Sequence, residues 1–378
     1  MIFVNGNISS LLESAKDKKL VCYGAEPFLP SICDVFESFD LLGRIDFITD
    51  FKTTGTHVEI NNVSKPLVDF VELLSRFSSG DRFILFFTSA KNFFQFVSIK
   101  YQVPEKIEFY IGEFLSHNPP DYNLPGYSPE IDKLKIPKIL HYCWFGGNPM
   151  TPLMKMCIES WKRFCPDYEI IEWNEKNYDV TKNQYMYDAY NNKKWAFVSD
   201  YARLDVIYQY GGVYIDADVE LFKPIDRFLC NTSFCGLEAP GIPALGPPFG
   251  AVKGDELLGC LRDIYDTMAF VNADSTINLI PNTIHHAEIF TKLGLTLENK
   301  IQMIKDMTIY PTDVFCPMGS KLIIECMTEN THAVHHYEWS WGKEDEVIYK
   351  RGKAKEIREF LASFCKADLY QIPLQKLG

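Results

Sequence analysis

Residues 195–221 constrain what this chain can fold into more than any other stretch. They read WAFVSDYARLDVIYQYGGVYIDADVEL, in which a helical pattern ends at Gly211 and Gly212 and a β-branched segment follows. We expect that segment to be one strand, whose alternation points Asp216 and Asp218 to the same side of a sheet. Two carboxylates at a strand end are hard oxygen ligands, so the pattern predicts a site for a divalent cation. Such a cation also binds phosphate, which indicates a phosphorylated donor.

The preceding helix, predicted at 196–210, is apolar nearly all round and is therefore expected to be buried. It nevertheless carries Asp200 and Arg203, which lie three residues apart on one face. Buried charges are costly without partners, and an internal ion pair would satisfy both. The neighbouring aspartate pair favours a second interpretation, in which Asp200 and Arg203 face a cleft and bind a polar ligand such as a sugar.

A length of 378 residues predicts two domains. In residues 1–116, expected strands at 19–24, 44–49 and 82–88 alternate with helical patterns, which indicates a small Rossmann-like domain around a parallel sheet. Gly24 stands where a G-x-G-x-x-G motif would begin, but Glu26 and Leu29 fill the later glycine positions. A structural or docking role is therefore favoured over dinucleotide binding.

The rest of the chain is predicted to contain a second α/β domain. Residues 117–137 hold five prolines, so 117–135 reads as a linker, and a new strand–helix series occupies 136–345. The tail, 346–378, has a basic helical pattern. We expect it to pack as a plain C-terminal helix, with peripheral membrane contact as the alternative.

Bulk composition excludes several classes of function. With 38 basic and 50 acidic residues the net charge is −12, which argues against a nucleic-acid partner. The start of the chain lacks a signal-peptide pattern, and no stretch approaches the roughly 20 apolar residues of a membrane span. Eleven cysteines without a CxxC pair favour a reducing compartment. We therefore expect a cytoplasmic protein, with the inner face of the membrane as an alternative location.

Four sequence blocks carry a resemblance to a known family. The pattern A-x-x-S-D-x-x-R followed by GG-x-Y-x-D-x-D resembles the DXD-containing sugar-binding region of glycosyltransferase family 32, which includes yeast Golgi mannosyltransferases and bacterial polysaccharide glycosyltransferases. It is also similar to the catalytic domain of glucosylating bacterial toxins. The matching residues are Ala196, Ser199, Asp200, Arg203, Gly211, Gly212, Tyr214, Asp216 and Asp218. The other blocks, in family order, are IPKILHYCWFGG at 136–147, YPTDVFCP at 310–317 and HHYEWSW at 335–341.

The resemblance implies a GT-A type nucleotide-diphospho-sugar transferase fold and a role for each matching residue. Trp144 would stack on the nucleobase, and His141 would shape the same pocket. The donor would also be bound by Ser199, Asp200, Arg203, Tyr214, Asp216, Ser340 and Trp341, with Asp200, Arg203, Asp216 and Asp218 as the catalytic set. One region departs from the pattern: residues 280–283 read IPNT where some members have Thr-Gly-Pro, which leaves the acceptor contacts and the choice of sugar open.

The implied metal is Mn²⁺ or Mg²⁺, held by Asp216 and Asp218 and completed by His335 or His336. Family members retain anomeric configuration, and we find no convincing carboxylate nucleophile in the sequence, so a front-face mechanism is favoured. A UDP-sugar is the favoured donor and GDP-mannose stays open. The acceptor would be a glycan or a lipid-linked oligosaccharide, in the biosynthesis of a surface polysaccharide such as a capsule.

Three other classes of protein share part of this sequence pattern. A haloacid-dehalogenase-like phosphatase also places DxD at a strand end, with the first aspartate as nucleophile. It would leave Ser199, Asp200 and Arg203 unexplained, and we find no downstream lysine and acidic pair. A non-catalytic nucleotide-sugar or glycan-binding protein would have no need of a metal-holding pair. An NAD-dependent enzyme built on the first domain is weakened by the missing glycines.

Overall fold

A computed structural model of the chain describes residues 1–4, 6–24, 41–49, 55–60, 63–78, 82–98, 107–119, 122–128, 133–318, 326–338 and 352. The chain divides into two compact units, one formed by Met1–Pro120 with Gly352–Gly378 and the other by Asp121–Arg351. The predicted linker is described only in part, and the predicted tail at 346–378 lies, apart from Gly352, outside the described residues. The predicted boundaries at 116, 136 and 345 stay predictions.

The first unit is built on a parallel sheet. Its described elements are β1 (Ile2–Phe3), α1 (Ile8–Ser14), β2 (Lys19–Tyr23), α2 (Leu41–Arg44), β3 (Phe47–Thr49), β4 (His57–Ile60), β5 (Val63–Pro66), α3 (Phe70–Ser78), β6 (Phe83–Phe87), α4 (Ala90–Ser98), β7 (Glu108–Ile111) and α5 (Gly112–His117). Five strands pair in parallel in the order β1-β7-β6-β2-β3, and β4 and β5 form a separate antiparallel hairpin. The expected alternation of strands and helices is confirmed.

Aromatic packing fills this sheet. Strand β6 reads FILFF and is buried at every position, as expected for a parallel strand covered on both faces. Phe93 from α4 stacks on Phe109 of β7 with ring centroids 4.7 Å apart. Gly24 follows β2 with φ +114°, and a Cβ there would lie 2.3 Å from the side-chain amide nitrogen of Asn92. This close approach explains the glycine without a dinucleotide ligand.

The second unit contains the remaining described elements. They are β8 (Ile139–Cys143), α6 (Pro152–Phe164), β9 (Glu169–Trp173), α7 (Gln184–Asn191), α8 (Trp195–Tyr210), β10 (Gly212–Tyr214), β11 (Val219–Leu221), a 3₁₀ helix (Asp226–Cys230), β12 (Ser233–Ala239), β13 (Ile242–Ala244), β14 (Phe249–Ala251), α9 (Glu256–Asp263), a second 3₁₀ helix (Ile264–Asp266), α10 (Asn282–Lys292), β15 (Gln302–Ile304), β16 (Met307–Tyr310), α11 (Thr312–Phe315) and β17 (Ala333–His335).

A mixed sheet forms the centre of this unit. Its strand order is β15-β16-β12-β14-β10-β8-β9, with β13 paired to β12. Strands β8, β9 and β10 are mutually parallel, whereas β14 is antiparallel to both β10 and β12. A second, two-stranded sheet pairs β11 with β17. Parallel and antiparallel pairs thus occur in the same α/β layer, which agrees with the predicted fold class.

Helix α8 is the buried helix expected from the sequence. Every residue from Phe197 to Ile207 is buried, and the helix ends at Gly211, whose φ is +70°. A Cβ at Gly211 would lie 2.9 Å from the backbone nitrogen of Lys253, so both space and conformation require glycine there. At 16 residues α8 is the longest helix in the described part of the chain, where no helix is long and apolar enough to span a bilayer.

The expected continuous strand through the two aspartates is wrong. Strand β10 ends at Tyr214 and β11 begins at Val219, and the aspartates lie between them in a turn closed by a 3.0 Å bond from Val219 N to the Asp216 carbonyl. The two strands part because β10 stays in the large sheet while β11 pairs with β17. The carboxylates therefore converge through a turn and not through strand alternation.

Candidate metal and donor site

The turn between β10 and β11 brings Asp216 and Asp218 to a third metal-ligating side chain. In the β11–β17 pair, Val219 lies opposite His335, so the strand register delivers the imidazole beside the aspartate turn. His335 Nε2 is 3.3 Å from Asp218 Oδ1. Single ligand atoms of Asp216, Asp218 and His335 all lie within 4.8 Å of one another.

The donor atoms of this cluster suit a divalent cation. Two carboxylates and one imidazole offer oxygen and nitrogen ligands, and carboxylate-rich sets suit Mn²⁺ and Mg²⁺. Burial would raise the pKa of Asp218, but the charge and hydrogen bond of His335 and the backbone N–H of Glu338 outweigh burial and lower that pKa to about 2. Asp218 is thus an anion at neutral pH and is ready to ligate. The ligand atoms of Asp216, Asp218 and His335 therefore fit the divalent cation that the sequence predicts.

Of the two candidate histidines, the structure places only His335 in this cluster. The side chain of His336 points elsewhere, with Nε2 3.1 Å from Glu220 Oε2, while its backbone N–H donates to the carbonyl of Asp218 at 3.0 Å. Consecutive strand residues face opposite sides, which explains why one histidine reaches the aspartates and its neighbour does not. The predicted donor residues Ser340 and Trp341 lie outside the described residues.

Arg203 is the electrostatic centre of the neighbouring region. Its guanidinium lies 3.4 Å from Asp200 Oδ1 and 3.3 Å from Asp216 Oδ1, donates to the carbonyl of Leu245 at 2.8 Å, and covers the Tyr214 ring. The Tyr214 hydroxyl in turn donates to Asp216 Oδ1 at 2.9 Å. The guanidinium of Arg203 therefore links Asp200, its neighbour on α8, to Asp216, the first aspartate of the turn.

Asp200 is held from two elements. Asn282, at the start of α10, donates from Nδ2 to Asp200 Oδ1 at 2.7 Å. Burial raises the pKa of Asp200 to about 7, with Asp216 adding to the rise and Arg203 opposing it. Among the described residues Oδ2 of Asp200 accepts no hydrogen bond. Asp200 therefore keeps an acceptor free for a polar ligand.

A glycine allows the first aspartate to sit where it does. Asp216 N donates to the carbonyl of Gly246 at 2.8 Å. A Cβ on Gly246 would lie 2.2 Å from Asp216 Oδ2 and 3.0 Å from Nη1 of Arg203. Residues 239–250, which the sequence shows as a proline- and glycine-rich loop, thus supply one wall of the carboxylate cluster.

Two predicted donor residues have their polar atoms engaged within the fold. His141 is fully buried, accepts from Trp173 Nε1 at its Nδ1, and bonds the carbonyl of Gly211 through Nε2 at 2.9 Å. Burial lowers its pKa to about 4. Trp144 donates from Nε1 to the carbonyl of Asn148 at 2.8 Å. His141 therefore fixes the glycine turn, while Trp144 is partly buried against the hydrophobic core and its stacking role stays a prediction.

Ser199, also predicted to bind donor, turns back into its own helix. Its hydroxyl donates to the carbonyl of Trp195 at 3.1 Å, and its own carbonyl accepts from Nε of Arg203. Sequence reasoning missed Asn282 and Gly246 as members of the site. The departure at 280–283 marked the region of Asn282, but its pairing with Asp200 joins residues 82 positions apart, and no local pattern reports such a contact.

Comparison with known proteins agrees with this geometry. Residues 152–235 match the sequence model of the family described as "Glycosyltransferase sugar-binding region containing DXD motif". Inositol phosphoceramide mannosyltransferase 1 of Schizosaccharomyces pombe is 28% identical over 148 residues, which cover 36% of this chain and 43% of that protein. Inositol phosphoceramide mannosyltransferase 3 of the same yeast is 29% identical over 119 residues, covering 29% and 31%. The matched segments thus span less than half of these relatives.

Two solved structures show a distant likeness. The PaToxG glycosyltransferase covers 34% of this chain and 58% of its own, with 16% identity and a TM-score of 0.28. A glycosyltransferase involved in the glycosylation of the major capsid of PBCV-1 covers 60% and 100%, with 11% identity and a TM-score of 0.32. At these values neither structure assigns a role to a residue of this chain.

The predicted resemblance to glycosyltransferase family 32 is confirmed. The sheets and helices of both units confirm the α/β class that the sequence predicts, and the GT-A type of the second domain stays what the family resemblance implies. The family match includes α8, β10 and the aspartate turn, which are the elements that carry Asp200, Arg203, Asp216 and Asp218.

Proposed function

We propose that this family 32-like chain is a metal-dependent, retaining glycosyltransferase that moves a sugar from a nucleotide-sugar donor to a glycan or lipid-linked acceptor. One observation carries the proposal. The cation-ligating cluster of Asp216, Asp218 and His335 adjoins the Asp200–Arg203 pair, so phosphate-gripping and hydroxyl-binding groups share one site.

Each group has a task in this reaction. When bound, Mn²⁺ or Mg²⁺ neutralises the charge that develops on the leaving nucleoside diphosphate. Asp216, Asp218 and His335 would hold the ion. Arg203 holds Asp216 in place, and the free oxygen of Asp200 accepts a hydrogen bond from a hydroxyl of the donor sugar.

Retention by a front-face route is the mechanism we favour. A double displacement needs a carboxylate nucleophile beneath the anomeric carbon. Asp200 and Asp216 are both within 3.4 Å of Arg203, and Asp218 is bonded to His335 and to the backbone of Glu338. Arg203 opposes the rise that burial causes in the pKa of Asp200 and of Asp216, and His335 lowers the pKa of Asp218. Each carboxylate thus has a cationic partner in the fold, which suits it to binding. The leaving phosphate would then help to take the proton of the acceptor.

The donor and acceptor are proposed by class. A UDP-sugar remains our favoured donor, and the two similar yeast proteins named as mannosyltransferases support testing GDP-mannose beside it. Their names also support a lipid-linked acceptor beside a glycan. We retain surface polysaccharide biosynthesis as the pathway and the cytoplasm as the location.

Nucleotide release tests this function. Purified protein would be incubated with a panel of UDP- and GDP-sugars, first with Mn²⁺ and then with excess EDTA. We expect slow, metal-dependent hydrolysis of one donor without acceptor, and its loss in Asp218→Asn. Asp205→Asn is the matched control, because Asp205 is a buried aspartate on the same helix as Asp200 and lies outside the site. Undiminished release by Asp218→Asn in metal-free buffer would overturn the proposal.

The phosphatase alternative makes a different demand on the first aspartate. As a nucleophile Asp216 would need an unencumbered carboxylate, whereas its Oδ1 accepts from Tyr214 and faces Arg203 at 3.3 Å. A phosphatase would release inorganic phosphate from small phosphate esters. A binding protein would retain the donor unhydrolysed. The same assay, with phosphate and intact donor also measured, therefore separates all three functions.

A further inference from the structure

Buried neutral histidines in the second unit differ in whether their ring nitrogens have partners. His141 has both nitrogens bonded, and His332 bonds the carbonyl of Asn330 through Nδ1 at 2.7 Å. His286, on α10, is 1% exposed, and among the described residues neither Nδ1 nor Nε2 has a hydrogen-bond partner. A buried polar group left unpaired destabilises the fold, so His286 requires an explanation that the other two do not.

The position of His286 supplies that explanation. It lies four residues after Asn282 on α10, so the two side chains share one face of the helix. Asn282 bonds Asp200 at 2.7 Å, which fixes that face against the sugar-binding pair. Burial lowers the pKa of His286 to about 3, and the nearby charge of Arg203 lowers it further in the same direction. The ring is therefore neutral and offers one donor and one acceptor.

A second buried side chain in the described part of this unit, Tyr265, also has an unpaired polar atom. The hydroxyl of Tyr265 is buried and, within the described residues, has no hydrogen-bond partner. The charges of Asp200 and Arg203 both act on its pKa, which burial raises well above its ordinary value. His286 and Tyr265 thus each have an unpaired polar atom within the electrostatic influence of Arg203, and such a combination suits a ligand rich in hydroxyl groups.

We propose that His286 is a further donor-binding residue, whose ring hydrogen-bonds a hydroxyl of the transferred sugar next to the hydroxyl held by Asp200. A sugar hydroxyl both donates and accepts, and so does a neutral imidazole. Since a site built to bond a hydroxyl rejects an analogue that lacks it, His286 would help to select the sugar. This inference rests on the proposed function and names one contact within it.

The test compares ligands with and without the sugar. Calorimetry would measure the binding of two ligands: the nucleotide-sugar that the release assay identifies as donor, and the nucleoside diphosphate that this donor releases. Both would be titrated into the wild type, His286→Phe and His286→Gln. We expect His286→Phe to weaken nucleotide-sugar binding about 10-fold and to leave nucleoside diphosphate binding unchanged. His286→Gln, which keeps a donor and an acceptor, should restore part of the loss. His332→Phe, a buried histidine with a partner, should leave both affinities unchanged.

The melting temperature separates a binding role of His286 from a purely structural one, because loss of a structural side chain would lower it. Because His286 is unpaired without ligand, His286→Phe should maintain or raise the melting temperature, while His332→Phe should lower it. In a panel of deoxy-sugar nucleotides, one analogue should bind equally well to wild type and His286→Phe, and it identifies the contacted hydroxyl.

The outcomes are distinguishable. Equal nucleotide-sugar affinity in wild type and His286→Phe, or a lowered melting temperature with unchanged ligand preference, would assign His286 to packing or to a buried water and overturn the inference alone. Absence of any nucleotide-sugar binding by the wild type would instead overturn the proposed function on which it rests.

Discussion

The two units of this protein bury different kinds of side chain, although both alternate strands with helices. In the described part of the first unit the buried polar side chains are Thr49, Thr88 and His117, and aromatic rings fill the space between sheet and helices. The second unit buries charged side chains, including Asp200, Arg203, Asp205, Asp255 and Asp313. Buried charge costs stability unless it is fully paired. The candidate site therefore lies in the unit that buries charge.

Within the second unit, two aspartates on α8 separate structural charge from functional charge. Asp205 accepts hydrogen bonds from Tyr178 and Gln209 at 2.7 Å and pairs with Lys182 and Arg262. Burial would raise the pKa of Asp205, yet these partners lower it. The pKa of Asp200 is raised. A saturated carboxylate maintains the fold, whereas an undersaturated one is available to a ligand.

The largest effect is expected at the aspartate turn. Asp218→Asn removes one negative ligand of the cation, and we expect nucleotide release to fall about 1,000-fold, since metal stabilisation of a leaving group contributes several kcal/mol. Folded structure should persist, because the amide has the shape of the carboxylate. Steady-state release with Mn²⁺ and a thermal melt check both parts. A variant that unfolds would place Asp218 among the structural charges with Asp205.

The opposite pattern is expected in the first unit. Phe93→Ala leaves a cavity in a well-packed aromatic core, so the free energy of unfolding should fall by about 3–5 kcal/mol, while nucleotide release per folded molecule stays unchanged. Urea denaturation followed by circular dichroism measures the loss. A drop in the specific activity of the folded fraction would break the comparison, because the first unit would then take part in the chemistry.

A glycine substitution tests how tightly the carboxylates are placed. Gly246→Ala puts a Cβ 2.2 Å from Asp216 Oδ2, so the aspartate or the loop must shift. We expect release to fall about 100-fold, in line with the cost of a misplacement near 1 Å. Gly126→Ala is the control, because a Cβ there meets no atom within 4 Å. Equal activity of both variants would mean that Asp216 does not need its present position.

Asp205→Asn should show the opposite pattern to Asp218→Asn, with a smaller effect: stability should fall and nucleotide release should be kept. Loss of this buried charge leaves Lys182 without its anion, whereas Arg262 keeps its ion pair with Asp263, and both cations are partly exposed to water. We expect about 1–3 kcal/mol lower unfolding free energy and unchanged nucleotide release. Chemical denaturation and the release assay measure the two quantities. Intact stability together with lost activity would move Asp205 into the site.

The smallest effect concerns pH. Burial lowers the pKa of His335, but Asp218 outweighs burial and raises it above the ordinary value near 6.5. Protonated His335 therefore stabilises the metal-free protein fully below about pH 6.5, and that contribution is lost as pH rises through the raised pKa. Denaturation in EDTA between pH 5 and about pH 9 should show this slope, and His335→Gln should flatten it. An unchanged slope in the variant would assign the pH dependence to another group.

Short-range patterns predicted much of this molecule. The apolar run of α8, the glycine turn and the FILFF strand each follow from local periodicity, and all are observed. The split between β10 and β11 did not follow, because VYIDADVE alternates like one strand and the partner of its second half is β17, more than a hundred residues away. The hairpin of β4 and β5 was missed because both strands are short and half-exposed.

The residues of the candidate site divide in the same way. Asp200, Arg203, Asp216 and Asp218 were identified because their spacing is local and matches a family pattern. The choice of His335 over His336 depends on strand register, and the contact of Asn282 with Asp200 depends on how α10 packs. Both depend on tertiary structure, namely on strand register and on helix packing, which local sequence patterns do not report.

The pairing of β11 with β17 also has a consequence for the order in which this protein is made. Synthesis proceeds from the N-terminus, and domains fold as the chain emerges. Both aspartates leave the ribosome well before His335, so the nascent chain carries an incomplete set of ligands until its later part has arrived. The proposed metal site would therefore be complete only after β17 has been synthesised and has paired with β11.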